Sequence, residues 1–101
     1  MNLLSFYISE KQRHGGKSLF DWLLEEAKGM GVHGGTAFRS IAGFGRHGTI
    51  HEDTFFELAG ELAVKVEFIL DEALADKLLE KLRSEKLQIL YVRQAVEFSV
   101  S

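Results

Sequence analysis

Hydrophobic and polar residues alternate strictly near the start of the chain. Between residues 3 and 9, Leu4, Phe6 and Ile8 fall on one side of an extended backbone. A period of two residues predicts a β-strand with one buried face. The polar stretch EKQRHGG at residues 10–16 then predicts a turn.

Two later segments have the spacing of amphipathic helices. The first begins near Lys17 or Ser18 and ends at the glycines of 29–31, and its shared apolar side consists of Leu19, Phe20, Leu23, Leu24, Ala27 and Met30. The second is predicted over Glu72–Ser84, with acids at its start and Lys81 and Arg83 near its end, as the helix dipole favours.

Three further segments are predicted to be strands: Thr36–Phe44, Leu62–Leu70 and Leu87–Val100. The last one changes phase near residues 93–95. This change indicates either a bulge or a break that would create an extra C-terminal strand. Residues 46–60 show no clear period.

The resulting order, β-α-β-β-α-β, predicts a single α+β domain over residues 1–101 with a ferredoxin-like fold. Its antiparallel sheet would carry both helices on one face. The other face would be bare and largely apolar, with contributions from Leu3, Ser5, Tyr7, Ile41, Ile69, Leu90 and Val92. Since a bare apolar face usually becomes an interface, a homo-oligomer packed through its sheets is expected.

The amino-acid composition argues against several classes of function. The chain has no cysteine, so disulfides, thiol catalysis and cysteine-ligated zinc are excluded. A net charge of -3 argues against nucleic-acid binding, which favours a basic face. No apolar run approaches the ~20 residues that cross a bilayer, and no signal peptide is evident, so a cytoplasmic location is expected.

The stretch RHGGKS at residues 13–18 resembles the end of a phosphate-binding loop. Gly16, Lys17 and Ser18 fit the last three positions of that motif, but Lys11 stands where its first glycine is required. That glycine lets the backbone wrap a phosphate, so the motif is not fulfilled. The basic residues Lys11, Arg13, His14 and Lys17 could still hold an anion by their side chains, or form only a solvated turn.

A second candidate cluster covers residues 39–46. Gly43 and Gly45 would let the backbone approach a phosphate or a base beside Phe44, while Arg39 and Arg46 supply charge. The alternative is a turn that ends a strand.

Histidines raise the question of a metal site. His47 and His51 are four residues apart, with acids at 52 and 53, so a metal site in the loop 47–53 is an alternative to a polar surface loop. Gly48 argues against the helix that would align the two imidazoles. No nucleophile motif is present, so the chain is predicted not to be an enzyme.

Three stretches resemble the domain of unknown function 190 family, also called uncharacterised protein family 0166, of the PII-like superfamily. They are EKQRHGGKSLFDWLLEEA at 10–27, GVHGGTAFRSIAGFGRHGTIH at 31–51 and LAVKVEFILDE at 62–72. The run GGTAFRSIAGFG is the most specific, and the resemblance covers essentially the whole chain. One departure is the pair Leu62–Ala63, where the family usually has a proline before the third strand.

The resemblance implies a ferredoxin-like fold and a homotrimer whose sheets face the threefold axis. It also implies a small effector in the clefts between subunits, mostly an adenine nucleotide such as AMP, ADP or ATP. The loop 45–61 would contact a protein target such as a membrane transporter, although it is shorter than the signalling loop of PII proteins. Two alternatives stay open: a metal-binding protein or enzyme using the loop 47–53, and a structural oligomer without a ligand.

Overall fold

A computed structural model describes residues 1–44 and 63–101. The described elements, in chain order, are β1 (Asn2–Ser9), β2 (Arg13–His14), β3 (Lys17–Ser18), α1 (Leu19–Gly29), β4 (Gly35–Arg39), β5 (Ala63–Leu70), α2 (Glu72–Ser84) and β6 (Leu90–Ala95). None of the helices in these two ranges is both long enough and apolar enough to cross a membrane.

The main sheet has four strands in the order β4-β5-β1-β6, and every neighbouring pair is antiparallel. With the two helices, this arrangement confirms the predicted α+β, ferredoxin-like fold. The strands β2 and β3 form a separate small hairpin between β1 and α1.

The core lies between one face of the sheet and the two helices. The alternation predicted for β1 and β5 places every second side chain there, and α1 and α2 cover them with their apolar stripes. The largest fully buried side chains are Phe6, Phe68, Leu4, Ile8, Leu19, Leu23, Leu78 and Val66. The rings of Phe6 and Phe68 meet edge to face with centroids 6.2 Å apart.

We call the other side of the sheet the open face. Direct cross-strand partners place Phe38, Lys65, Tyr7 and Leu90 in one row across its four strands. Phe38, Leu90 and Val92 are 46%, 50% and 46% exposed, which is high for large apolar side chains within a sheet. The open face is therefore an apolar surface that the described part of the chain leaves uncovered.

Three sequence predictions need correction. The strand predicted over Thr36–Phe44 runs from Gly35 to Arg39, and Ser40 N still bonds to the carbonyl of Ala63, the first described residue of β5. The strand predicted to reach Val100 ends at Ala95, because its neighbour β1 begins at Asn2. The polar turn at 10–16 contains β2 of a hairpin that the sequence analysis did not predict.

Arg93 fixes the edge strand β6 to the rest of the domain. Its guanidinium donates to Asn2 Oδ1 at 2.9 Å, to Asp76 Oδ1 at 2.8 Å and to the Glu72 carbonyl at 3.3 Å. The side chain is only 24% exposed, so these charge-assisted bonds connect β6 to β1 and α2.

The start of α2 supplies a first prediction. Asp71 is the N-cap, and its Oδ1 accepts a hydrogen bond from Leu74 N at 2.8 Å. Replacing Asp71 with alanine should lower the free energy of unfolding by about 1 kcal/mol, because a helix N–H loses its partner. Urea denaturation measures this, and Asp71→Asn, which keeps a capping oxygen, is the matched control. Equal losses in both variants would contradict the capping role.

Candidate functional site

The described part of the cluster predicted at 39–46 lines a cleft on the open face. Arg39, Gly43 and Phe44 surround a space of about 330 Å³ at the end of the sheet where β4 ends and β5 begins. Phe44 is 94% exposed at its rim. Gly45 and Arg46 lie outside the described residues.

The floor of this cleft comes from the row of cross-strand partners. Lys65 is the direct partner of both Phe38 and Tyr7, so a cation stands between two aromatic rings. Lys65 Nζ lies 5.1 Å from the centroid of the Phe38 ring, within cation–π distance. The same ammonium group lies 3.3 Å from a carboxylate oxygen of Glu67.

Arg39 places a second cation at the end of β4, beside the cleft. It alternates with Phe38, so its side chain leaves the strand on the opposite face of the sheet. Its Nη2 lies 3.1 Å from Glu10 Oε1, and its side chain remains 65% exposed. A guanidinium has five N–H donors, so Arg39 can donate to an incoming anion while it keeps Glu10.

These groups suit a flat, anionic ligand. Exposed aromatic faces can stack on a planar ring, and the Lys65 ammonium can pair with phosphate or carboxylate oxygens, with the Arg39 guanidinium beyond the end of β4. Gly43 has open space around its missing side chain, which leaves room for a ligand near the backbone. The cleft therefore offers aromatic surfaces and positive charge to a ligand.

Several residues of this cleft were not predicted as site residues, among them Tyr7, Phe38 and Lys65. The alternation predicted Tyr7 for the open face, but the expectation for β4 was wrong. Ile41 was expected on the open face, whereas β4 ends before it and Phe38, which has the opposite parity, lies there as the partner of Lys65. What the sequence could not give is the register that sets Phe38 and Tyr7 on either side of Lys65, because strand pairing is a long-range property.

The second predicted cluster lies on and beside the small hairpin, and Arg13, His14 and Lys17 have partners within the chain. Arg13 Nη2 donates to Gly16 O at 2.9 Å, and Lys17 Nζ lies 2.6 Å from Glu25 Oε1. The hydrogen bond with Glu25 raises the pKa of Lys17. None of Arg13, His14 and Lys17 lines the cleft beside Arg39, so the two predicted clusters are separate.

His14 connects this hairpin to the end of α2. Its Nε2 lies 3.0 Å from Glu85 Oε1, and its ring meets Trp22 edge to face with centroids 4.7 Å apart. Lys81 Nζ lies 3.3 Å from the other oxygen of Glu85. The hairpin is thus held on the helical layer by a hydrogen bond and an aromatic contact.

A pH prediction follows from Glu85. The hydrogen bond with His14, followed by that with Lys81, lowers the pKa of Glu85 below its ordinary 4.5. A lowered pKa means that the ionised carboxylate favours the folded state above pH about 4.5, and this contribution is lost as the pH falls through the folded-state pKa. Wild type should therefore be more stable than Glu85→Gln at pH 6, and the difference should shrink towards pH 3 in urea denaturation. A difference that does not change with pH would contradict this assignment.

The histidines of the metal alternative, His47 and His51, lie outside the described residues. In the ranges 1–44 and 63–101, no three histidine, aspartate or glutamate side chains are placed to hold a metal ion.

A larger cleft of about 500 Å³ lies at the opposite end of the sheet. The loop between α1 and β4 forms one wall, and β5 with the start of α2 forms the other. Its lining is mainly apolar, from Val32, Ile69, Leu74 and Phe98, with the carboxylates of Glu67 and Asp71 beside them. This carboxylate pair makes it less suited to an anion than the cleft at Arg39.

Comparison with known proteins first identifies the class of fold. The crystal structure of a protein from Thermus thermophilus, described as PII-like and as a signaling protein, superposes with a TM-score of 0.56 at 17% sequence identity. The match covers 92% of this chain and 82% of that one. The chain therefore shares the ferredoxin-like fold of that protein.

Sequence comparison identifies the family. The DUF190 family, described as "Uncharacterized ACR", matches residues 1–98. A UPF0166 protein of Aquifex aeolicus (strain VF5) is 37% identical over 83 residues, which cover 82% of this chain and 79% of that protein. The chain belongs to the DUF190 (UPF0166) family, as the sequence motifs predicted.

Proposed function

We propose that this chain is a PII-like regulatory protein that binds an adenine nucleotide, AMP, ADP or ATP, in the cleft at Arg39. The observation that carries the proposal is the row Phe38–Lys65–Tyr7, with Arg39 at the rim. The adenine ring stacks on the aromatic side chains, and the phosphates pair with Lys65 and extend past the end of β4 to Arg39.

The site works within a homotrimer packed through its open faces. The uncovered apolar side chains of β4 and β6 support this assembly, because burying them removes apolar surface from water. The clefts at both ends of the sheet open on or beside this face, so neighbouring copies can close them. A ligand held between subunits stabilises the assembly as well as the fold.

Nucleotide binding would be signalled through the loop 45–61, which follows Phe44 directly in the chain. A ligand at the rim of the cleft touches the residues from which this loop departs. The proposed target is a protein, such as a membrane transporter, that distinguishes the liganded from the free form. The protein acts from the cytoplasm and catalyses no reaction of its own.

A thermal-shift panel tests the proposal. Ligands are AMP, ADP, ATP and cyclic nucleotides, with inorganic tripolyphosphate as the control for an anion that lacks a base. At 100 times its Kd, a ligand adds about 2.7 kcal/mol, which raises the Tm of a domain of this size by roughly 10 °C. A rise with one of the adenine nucleotides, larger than that with tripolyphosphate, is expected. A flat panel, or an equal rise with tripolyphosphate, would contradict adenine recognition.

A further inference from the structure

One ion pair on the open face joins the larger cleft to the cleft at Arg39. Lys65 lines the cleft at Arg39, whereas Glu67 lines the larger cleft of about 500 Å³. The two residues are two apart on β5, so their side chains leave the strand on the same face, and Lys65 Nζ lies 3.3 Å from Glu67 Oε2. The charge of each group therefore acts on a ligand in the other cleft.

Glu67 opposes the binding of an anion in the cleft at Arg39. Its carboxylate has the same sign as a phosphate and pairs with the ammonium group that a phosphate needs. The side chains of Lys65 and Glu67 are only 37% and 27% exposed, so water screens the interaction incompletely. A group that neutralises Glu67 should therefore strengthen anion binding at Lys65.

The larger cleft has a lining that suits such a neutralising group. Its walls include the apolar side chains of Val32, Ile69 and Leu74, and its volume is ordinary for a small-molecule site. Two carboxylates, those of Glu67 and Asp71, lie beside these walls, and the described residues that line the cleft include no lysine or arginine. Apolar walls with this excess of negative charge complement an ammonium group on an apolar body.

Asp71 can take part while it keeps its role in α2. Its Oδ1 accepts a hydrogen bond from Leu74 N at 2.8 Å. A carboxylate has about four acceptor positions, so a second donor can bind to the same group. An ammonium group has three N–H donors and can therefore use more than one oxygen of the lining.

We propose that the larger cleft binds a small organic cation, an ammonium group on an apolar chain, and that this ligand strengthens nucleotide binding in the cleft at Arg39. The ammonium group pairs with Glu67, which releases Lys65 to the nucleotide phosphates. Because the two binding free energies are linked, the nucleotide strengthens cation binding by the same factor. The coupling rests on the proposed function, whereas the cation site stands on the lining of the larger cleft.

Hexylamine is the probe for the cation site, and 1-hexanol is its uncharged control of similar shape. At pH 7 the amine is protonated. An NMR titration of the full isotope-labelled chain, at constant ionic strength, should give saturable shifts of amide signals from residues 31–36 and 67–71. Glu67→Gln should weaken hexylamine binding by about fivefold, because a charge-assisted bond becomes a neutral one.

Glu80→Gln is the matched control for this titration. Glu80 lies on α2, and its Oε2 pairs with Arg83 Nη1 at 2.9 Å, so the variant also removes one carboxylate from an ion pair. Hexylamine should bind to Glu80→Gln as it does to wild type. Equal binding to wild type and Glu67→Gln, or equal binding of 1-hexanol and hexylamine to wild type, would overturn the cation site.

Titration calorimetry with ATP, ADP and AMP tests the coupling. Glu67→Gln should bind nucleotide about two- to fivefold more tightly than wild type, which is the effect that a partly exposed ion pair supports, and Glu80→Gln should not. Saturating hexylamine should tighten nucleotide binding by a similar factor in wild type and leave Glu67→Gln unchanged. A nucleotide Kd that responds neither to hexylamine nor to Glu67→Gln would overturn the coupling.

Nucleotide binding and cation binding can fail separately. If wild type binds none of the three nucleotides, the proposed function is contradicted, and the hexylamine titration still decides the cation site. If nucleotide binds with the same Kd whatever the state of Glu67, the proposed function stands and the coupling is overturned.

Discussion

Replacing Gly35 with alanine should destabilise the protein by about 3 kcal/mol, because the new methyl group has no room. A Cβ built at Gly35 would lie 2.4 Å from Cε1 and 2.6 Å from Cδ1 of Phe68, and 3.1 Å from Cδ2 of Leu24. Phe68 is 1% exposed and packs against Phe6, so its ring cannot move aside without disturbing the core. The backbone of β4 must approach β5 and α1 this closely for the sheet to form.

The neighbouring Gly34 is the matched control. A Cβ there would meet nothing within 4 Å, and the backbone at Gly34 is not in the left-handed region. Gly34→Ala should therefore leave the stability unchanged or raise it by roughly 0.4–1 kcal/mol, because the unfolded chain loses freedom. Urea denaturation of both variants compares them. Equal midpoints would show that Phe68 relaxes and would contradict the steric account.

The largest functional effect should come from Lys65. Replacing Lys65 with methionine should weaken adenine-nucleotide binding by about tenfold or more, because a charge-assisted bond contributes about 1.5–3 kcal/mol. Methionine keeps the length of the side chain and removes the cation. Titration calorimetry measures the change in Kd.

Lys77→Met provides the control for this experiment. Lys77 is an exposed lysine on α2, on the side of the sheet opposite the open face. Its replacement changes the net charge by the same amount and leaves the cleft unchanged. Binding to Lys77→Met should equal that of wild type. An equal loss in both variants would indicate a general charge effect and would remove Lys65 from the site.

Local patterns predicted the helices and the central strands well. The helix α2 has the predicted bounds, because Asp71 caps its start and its leucines recur at helical spacing. The strand predicted over Leu62–Leu70 is described over Ala63–Leu70, and Leu62 lies outside the described residues. These features depend on residues that are close together in the sequence, so one sequence is enough to predict them.

The structure differs from the sequence predictions where strand pairing sets the bounds of an element. Alternation continues past Arg39 and past Ala95, but β4 ends at Arg39, and β6 ends where β1 begins. The hairpin β2–β3 has a visible signal that the sequence analysis did not use. Gly15 and Gly16 have φ values of 61° and 81°, as a two-residue turn of type I′ requires, and a Gly-Gly pair is typical of that turn.

The candidate site was predictable only in part. Arg39, Gly43 and Phe44 were predicted from glycine spacing and charge, and the structure brings them together in one cleft. The basic residues of the hairpin formed an equally dense cluster in sequence, yet Lys17 and His14 are paired with Glu25 and Glu85. Those acids lie 8 and 71 residues away from them, so sequence proximity could not reveal the neutralisation.

The central claim is that copies of this chain assemble and bind an adenine nucleotide, and native mass spectrometry of the full chain with ATP, ADP or AMP tests both parts in one spectrum. A three-chain species that takes up as many as three nucleotides is expected, with little binding to single chains. Single chains that bind nucleotide alone would contradict the inter-subunit site. A three-chain species that takes up none of the three nucleotides would contradict the proposed effector.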